Sequence, residues 1–194
     1  MFTVVGLGNP GPKYEQTRHN IGQTVIGELT ALAGTALQSH RQSNTRAVSV
    51  RCGAAGGHAA EQAILAVTNS YMNTSGTPVA ALLRYFHCAP ETLLVIHDDL
   101  DLPFGVLKLK RGGGEGGHNG LRSITQALGT KNYLRLRFGI GRPPGRRDPA
   151  DFVLSRFTKE EAADLPLLVD RAAHAVEDVL QNGLEQAQMR LHTH

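Results

Sequence analysis

The chain has 194 residues, 41% hydrophobic and 19% charged, the balance of one globular domain large enough to bury an ordinary core. No apolar run reaches the roughly 20 residues of a membrane-spanning helix, and no basic leader with an apolar stretch marks it for export, so the expectation is a cytoplasmic protein with no membrane partner. The net charge of +3 hides an asymmetry: residues 108–147 carry ten basic side chains against Glu115 alone, +9, which leaves −6 for the remainder, and separation of that kind is the footprint of a polyanion binder such as a nucleic acid partner.

In chain order, a buried strand is expected at 2–6, then a long connection over residues 7–20, then a helix at 21–33. Strand-to-helix connections are usually two to six residues, and long ones tend to carry function. This one holds Asn9, Tyr14, Arg18, His19 and Asn20. Gly6-x-Gly8-x-x-Gly11 imitates a dinucleotide fingerprint, but Pro10 and Pro12 bracket Gly11 and no apolar period follows until Ile21. The fingerprint requires a helix to start at once against the pyrophosphate, so a nicotinamide or flavin site is rejected. Further strands are expected at 46–52 and 62–68, joined by a hairpin connection at 53–60, and at 93–97, 106–110 and 134–140. Further helices are expected at 77–86, 120–128 and 165–180, the last part of a C-terminal helix near 165–182 that Gly183 stops, with a short separate helix before it opened by the Thr158–Glu161 capping box. The interleaving gives one α/β domain over residues 1–194, a twisted mixed β-sheet flanked by helices. Residues 139–149, rich in glycine, proline and arginine, suit a basic flap over a site. Cys52 and Cys88 lack metal-ligand spacing and disulfide density, and read as free thiols.

Three junctions could carry chemistry. His97-Asp98-Asp99-Leu100-Asp101 follows an apolar strand, where ligands of open α/β sheets gather; these acids could orient a base or, with His97 and His118, hold a divalent cation. The glycine-rich run at 112–120, containing His118 and Asn119, opens a helix and can approach a ligand closely, but it lacks the lysine-serine/threonine ending of a P-loop. Residues 69–76 hold Asn73, which could cap the next helix or, with Asn9 and Asn119, grip a peptide carbonyl and amide. A histidine base, an orienting carboxylate and amides aimed at a carbonyl compose a hydrolase site; with no serine or cysteine in a nucleophile motif, water is the nucleophile.

Together the blocks GLGNPG-x-x-Y-x-x-TRHN-x-G, SYMNTSG, HDDLDLPFG, GGGEGGHNGLRS, LRLRFGIGRP and FVLSRF resemble the bacterial peptidyl-tRNA hydrolase family over nearly the whole chain. The resemblance implies cleavage of the ester between a peptide and the terminal ribose of tRNA by a metal-free, cofactor-free, monomeric cytoplasmic enzyme. By position it makes His19 the general base, Asp98 its orienting acid, and Asn9 a discriminator between peptidyl and free aminoacyl substrates. It makes Asn73 and Asn119 binders of the peptide backbone and the ester. Tyr14, Tyr71, Met72 and His118 would line the substrate, while Lys108, Lys110, Arg137 and Arg146 would meet tRNA phosphates. Tyr71 stands where many members carry phenylalanine, and Arg146 and Arg147 fill a flap position that is often lysine. Residues 191–194 have no counterpart and are expected to form a disordered end. The alternative is a non-catalytic RNA-binding module on the same fold.

Overall fold

The computed structural model describes residues 1–52 and 61–192. Among these, seven strands form one mixed sheet: β1 (Phe2–Gly6), β2 (Gln38–His40), β3 (Thr45–Cys52), β4 (Glu61–Thr68), β5 (Leu93–Asp99), β6 (Leu107–Arg111) and β7 (Leu134–Gly139), in the order β2-β3-β4-β1-β5-β7-β6. The central strands β4, β1, β5 and β7 run parallel, β3 and β6 pair antiparallel to them at the two flanks, and β2 pairs antiparallel with the outer side of β3. Side chains alternate across the sheet with period two. Val4, Leu65, Leu94 and Ile96 face α1 (Ile21–Leu32), α5 (Lys159–Asn182) and α6 (Leu184–His192). Val5, Ile64, Ala66 and Val95 face α2 (Gly76–Phe86) and α3 (Asn119–Leu128). A short α4 (Pro149–Val153) follows the basic flap segment.

The four parallel strands point their carboxyl ends to one edge, and glycine contacts bring the first helix to it. A Cβ on Gly6 would lie 2.2 Å from the Gly22 carbonyl oxygen, and one on Gly22 would lie 2.2 Å from the Ile96 oxygen. Only bare backbone lets α1 sit this close on β1 and β5. That approach sets the turn just ahead of α1, residues 18–20, over the end of β5.

Four expectations need correcting. The helix expected at 165–180 and the short one before it are a single helix, α5, which runs through Pro166; the proline sits early in the helix on its exposed side. The end of the chain is not loose through residue 192: α6 buries Ala187, packs Leu191 on the core, and its Gln188 donates to the Leu109 carbonyl of edge strand β6 at 2.8 Å. Leu184, Ala187 and Leu191 do stand at helical spacing, but a run of nine residues is too short to read as an element from pattern alone. Strand β2 was missed for the same reason, being three polar residues. Asn73 does not cap α2; it lies inside a 3₁₀ turn at 72–74, and Ser75 precedes the helix without a side-chain cap bond. The connection at 53–60 and residues 193–194 lie outside the described residues.

Gly22→Ala is expected to lower unfolding free energy by about 2–3 kcal/mol, the cost of forcing volume into a closed contact, read as a lower urea midpoint at unchanged slope. An unshifted midpoint would show that α1 does not rest on bare backbone.

Candidate active site

Asp98, the last residue but one of β5, is almost wholly buried, 3% exposed, between two imidazoles. Its Oδ2 lies 2.8 Å from His19 Nδ1, and its Oδ1 lies 2.8 Å from His118 Nε2. His118 is the N-cap of α3: its Nδ1 accepts the backbone N–H groups of Gly120 (3.1 Å) and Leu121 (3.3 Å). An imidazole nitrogen that accepts must be unprotonated, so the His118 proton sits on Nε2 and is donated to Asp98. Both His118 ring nitrogens are thereby engaged within the protein.

The electrostatics follow. Burial alone would raise the Asp98 pKa, but His19 and His118 outweigh it and hold the carboxyl far below its ordinary range. Burial pulls the His19 pKa down, yet the charge and hydrogen bond of Asp98 outweigh burial and raise it above the usual histidine value. His97, buried beside them, is pushed down to about 3, mainly by burial and next by His118. Its Nδ1 donates to the Asp98 backbone carbonyl at 2.8 Å. Asp98 thus enhances the basicity of His19, while His97, turned to the backbone, is held neutral.

Asn9 is equally determined. Asn20 holds its backbone from both sides, accepting Asn9 N–H at Oδ1 and donating from Nδ2 to Asn9 O, each at 2.9 Å. The Asn9 Oδ1 accepts the Met72 N–H at 2.7 Å, so the outward function of its side chain is the NH₂ donor. Asn20 was noticed in the sequence only as a member of the loop; its bracing role depends on a contact that spacing does not reveal. Met72 is buried, with its sulfur 2.6 Å from where a Gly120 Cβ would stand. Tyr14 and Tyr71 meet edge to face, 6.2 Å between centroids, and Tyr71 is 57% exposed. Asn73 and Asn119 are exposed on the turn at 72–74 and at the first residue of α3. A cavity of about 420 Å³ opens beside the cluster, lined among others by His19, Asp98, His118, Asn119, Lys110 and Arg137.

The basic segment divides once folded. Arg135 is fully buried and donates to the carbonyls of Gly114 (2.7 Å) and Gly113 (3.0 Å), shaping the glycine-rich loop rather than meeting a ligand. Arg137 pairs with Asp99 at 2.8 Å, Arg142 with Asp101, and Lys131 with Glu115 at 3.8 Å. Lys108 and Arg146 are exposed, while Lys110 is half-buried with its pKa lowered by burial and then by Arg135 and Arg137.

For a cation, the donors of His19, Asp98 and His118 do fall within 4.8 Å of one another. The His118 nitrogen among them carries a proton rather than a lone pair, however, because its partner nitrogen is taken by α3. The quartet His97, Asp98, Asp99 and His118 does not converge: His97 turns to a backbone carbonyl and Asp99 to Arg137. The residues therefore favour hydrogen bonding over metal ligation.

A family model described as peptidyl-tRNA hydrolase matches residues 3–194. A peptidyl-tRNA hydrolase of Kineococcus radiotolerans is 55% identical over 192 residues, covering 98% of this chain and 96% of that one. One from Nocardia farcinica is 54% identical over 189 residues, covering 97% and 95%. The crystal structure of peptidyl-tRNA hydrolase from Acinetobacter baumannii superposes with a TM-score of 0.87 at 35% identity, covering 98% of this chain and 94% of that one.

In long-range nitrogen–proton NMR spectra, His118 is expected as the Nε2–H tautomer and His97 as Nδ1–H, with His19 titrating above the ordinary histidine value. Asp98→Asn should lower the His19 midpoint, since it removes the charge that raises it. An unmoved midpoint would contradict the electrostatic assignment.

Proposed function

The chain belongs to the peptidyl-tRNA hydrolase family and hydrolyses the ester bond of peptidyl-tRNA, and on that premise we propose that His19 is its general base. The observation that carries this is the 2.8 Å contact of His19 Nδ1 with buried Asp98. With Nδ1–H donated to the carboxylate, Nε2 is the basic nitrogen and takes a proton from water as its oxygen attacks the ester carbonyl. Asp98 stabilises the imidazolium, which then returns the proton to the departing 3′ oxygen of the terminal ribose. Both bonds balance: the acyl group gains the water oxygen, and the ribose regains its hydroxyl.

Amide groups supply the rest of the site. The Asn9 NH₂, turned outward by the bond of its Oδ1 to Met72, is a donor for the substrate's acyl portion. Such a donor can favour a blocked, peptide-like amide over a free amino group, which is charged and carries only donors. Asn73 and Asn119 hold the peptide backbone and polarise the ester, and Tyr14, Tyr71 and Met72 line its path. His118 acts in the site through Asp98 and lines the cavity. Lys108, Lys110, Arg137 and Arg146 receive tRNA phosphates, with Arg137 exchanging Asp99 for phosphate. Recognition through phosphates and shape serves all tRNAs. No helix among the described residues is long and apolar enough to cross a membrane; the enzyme acts as a cytoplasmic monomer, where its substrate arises.

His19→Ala is expected to reduce single-turnover cleavage of N-acetyl-aminoacyl-tRNA on the order of 10²–10⁴-fold, the worth of a positioned base, with tRNA binding retained. Parental cleavage by that variant would remove the base assignment. Lys108→Ala should lower the slope of log affinity against log salt by about one. An unchanged slope would take Lys108 out of the phosphate contacts.

A further inference from the structure

Arg18 immediately precedes the base, is 3% exposed, and has no part in the chemistry above. A buried guanidinium is costly unless its donors are satisfied, so what it grips is informative. Its Nη1 donates to Ser155 Oγ at 2.7 Å and to the Arg156 carbonyl, and its Nη2 donates to Glu161 Oε1 at 2.6 Å. Its Cζ lies 4.1 Å from the Phe152 ring centre and 5.3 Å from that of Phe157. The backbone joins in: Arg18 N–H donates to Ser155 O at 3.0 Å, and Thr17 forms a β-bridge with Arg156.

The far side of this latch is itself fastened. Glu161 Oε1 also accepts the Thr158 N–H, and Thr158 Oγ1 accepts the Glu161 N–H, closing the capping box of α5. Arg18 therefore ties the turn at 18–20 to the start of a 24-residue helix that packs along α1. The same Phe152 ring carries a second cation, Arg147 of the basic flap, at 5.5 Å. The flap and the turn that carries His19 thus meet on one aromatic ring. Among the described residues His19 makes a single side-chain hydrogen bond, at Nδ1, so the placement of its Nε2 depends on the backbone of this turn.

We propose that Arg18 is a positioning residue: it fixes the 18–20 turn against the α4–α5 junction so that His19 keeps its alignment with Asp98 and the substrate. This rests on the reading of His19 as the base. The charged groups facing Arg18 are Glu161 and Arg147; facing His19 are the charged Asp98 and the imidazole of His118.

Arg18→Lys keeps the charge and the stem but cannot serve three acceptors in a fixed plane. Glu161→Gln keeps the capping box, which glutamine also completes, and removes the ion pair. Leu180→Ala, in the buried core face of α5 away from the latch, supplies a control for lost stability alone. Each is assayed for kcat, KM, the acid limb of the pH–rate profile and thermal midpoint on N-acetyl-aminoacyl-tRNA, beside His19→Ala.

Arg18→Lys should lose on the order of 10–100-fold in kcat with KM little changed, as small misplacements of a reacting group do. Its acid limb should move to lower pH, because a loosened His19 feels Asp98 less. Glu161→Gln should move both in the same direction by less, and decides the matter if Arg18→Lys fails to fold. Leu180→Ala should lower the thermal midpoint and leave the limb in place. Parental kcat and an unmoved limb in Arg18→Lys and Glu161→Gln, or the same shift in Leu180→Ala, would overturn the proposal. If His19→Ala itself stays active, the base assignment fails instead, independently of the latch.

Discussion

One buried carboxylate organises this protein. Asp98 is stable as an anion, 3% exposed, only because two imidazoles reach it, and each is delivered by a different part of the fold. His19 arrives on the turn before α1, which can sit there because Gly6 and Gly22 let helix and strands touch at their backbones. His118 arrives at the start of α3, where the helix amides take its Nδ1 and so decide which nitrogen faces Asp98. The tautomer is a property of the helix end, not of the histidine alone. Remove any one of these and the anion loses a partner that its burial makes necessary.

A second consequence concerns the positive face. Ten basic residues between 108 and 147 against one acid marked this segment as a polyanion binder. Folding assigns them separate work: Arg135 builds the glycine-rich loop from beneath, and Arg137 and Arg142 are held by Asp99 and Asp101 of the same strand-end segment that supplies Asp98. The acids that follow Asp98 in sequence thus fix Arg137, which lines the cavity, and Arg142, which does not. Their pairing is also why they are poor candidates for metal ligands.

Much of this was legible before the fold was known. The parallel strands announced themselves as continuous apolar runs, and the functional loops stood at their carboxyl ends, as open α/β sheets require. The long connection at 7–20 offered Asn9 and His19 among five polar candidates and HDDLD offered three acids; it was the resemblance to the peptidyl-tRNA hydrolase family that pointed to Asn9, His19 and Asp98 among them. What stayed hidden was tertiary. Three polar residues make β2 only because β3 lies beside them, and α6 is a helix because the edge of β6 and the core accept it. The capping box at 158–161 and the apolar period from 165 read as two helices, but they belong to one that continues through Pro166. Arg18 is one of several polar residues in its loop until residues 155–161, far along the chain, close around it. Asn73, a fair cap by residue type, turned out to sit within a turn instead.

The central claim is that Asp98 makes His19 the basic imidazole of the site. Its most direct test is the pH dependence of single-turnover cleavage of N-acetyl-aminoacyl-tRNA by the parent and by Asp98→Asn. Because the base works only when unprotonated, a raised His19 pKa predicts a parent rate that falls on acidification from above the ordinary histidine value, through one ionisation. In Asp98→Asn that limb should move to lower pH and the plateau should drop, since the imidazolium is no longer stabilised. A limb that stays where it was in Asp98→Asn, or a parent rate indifferent to pH across the histidine range, would contradict the account.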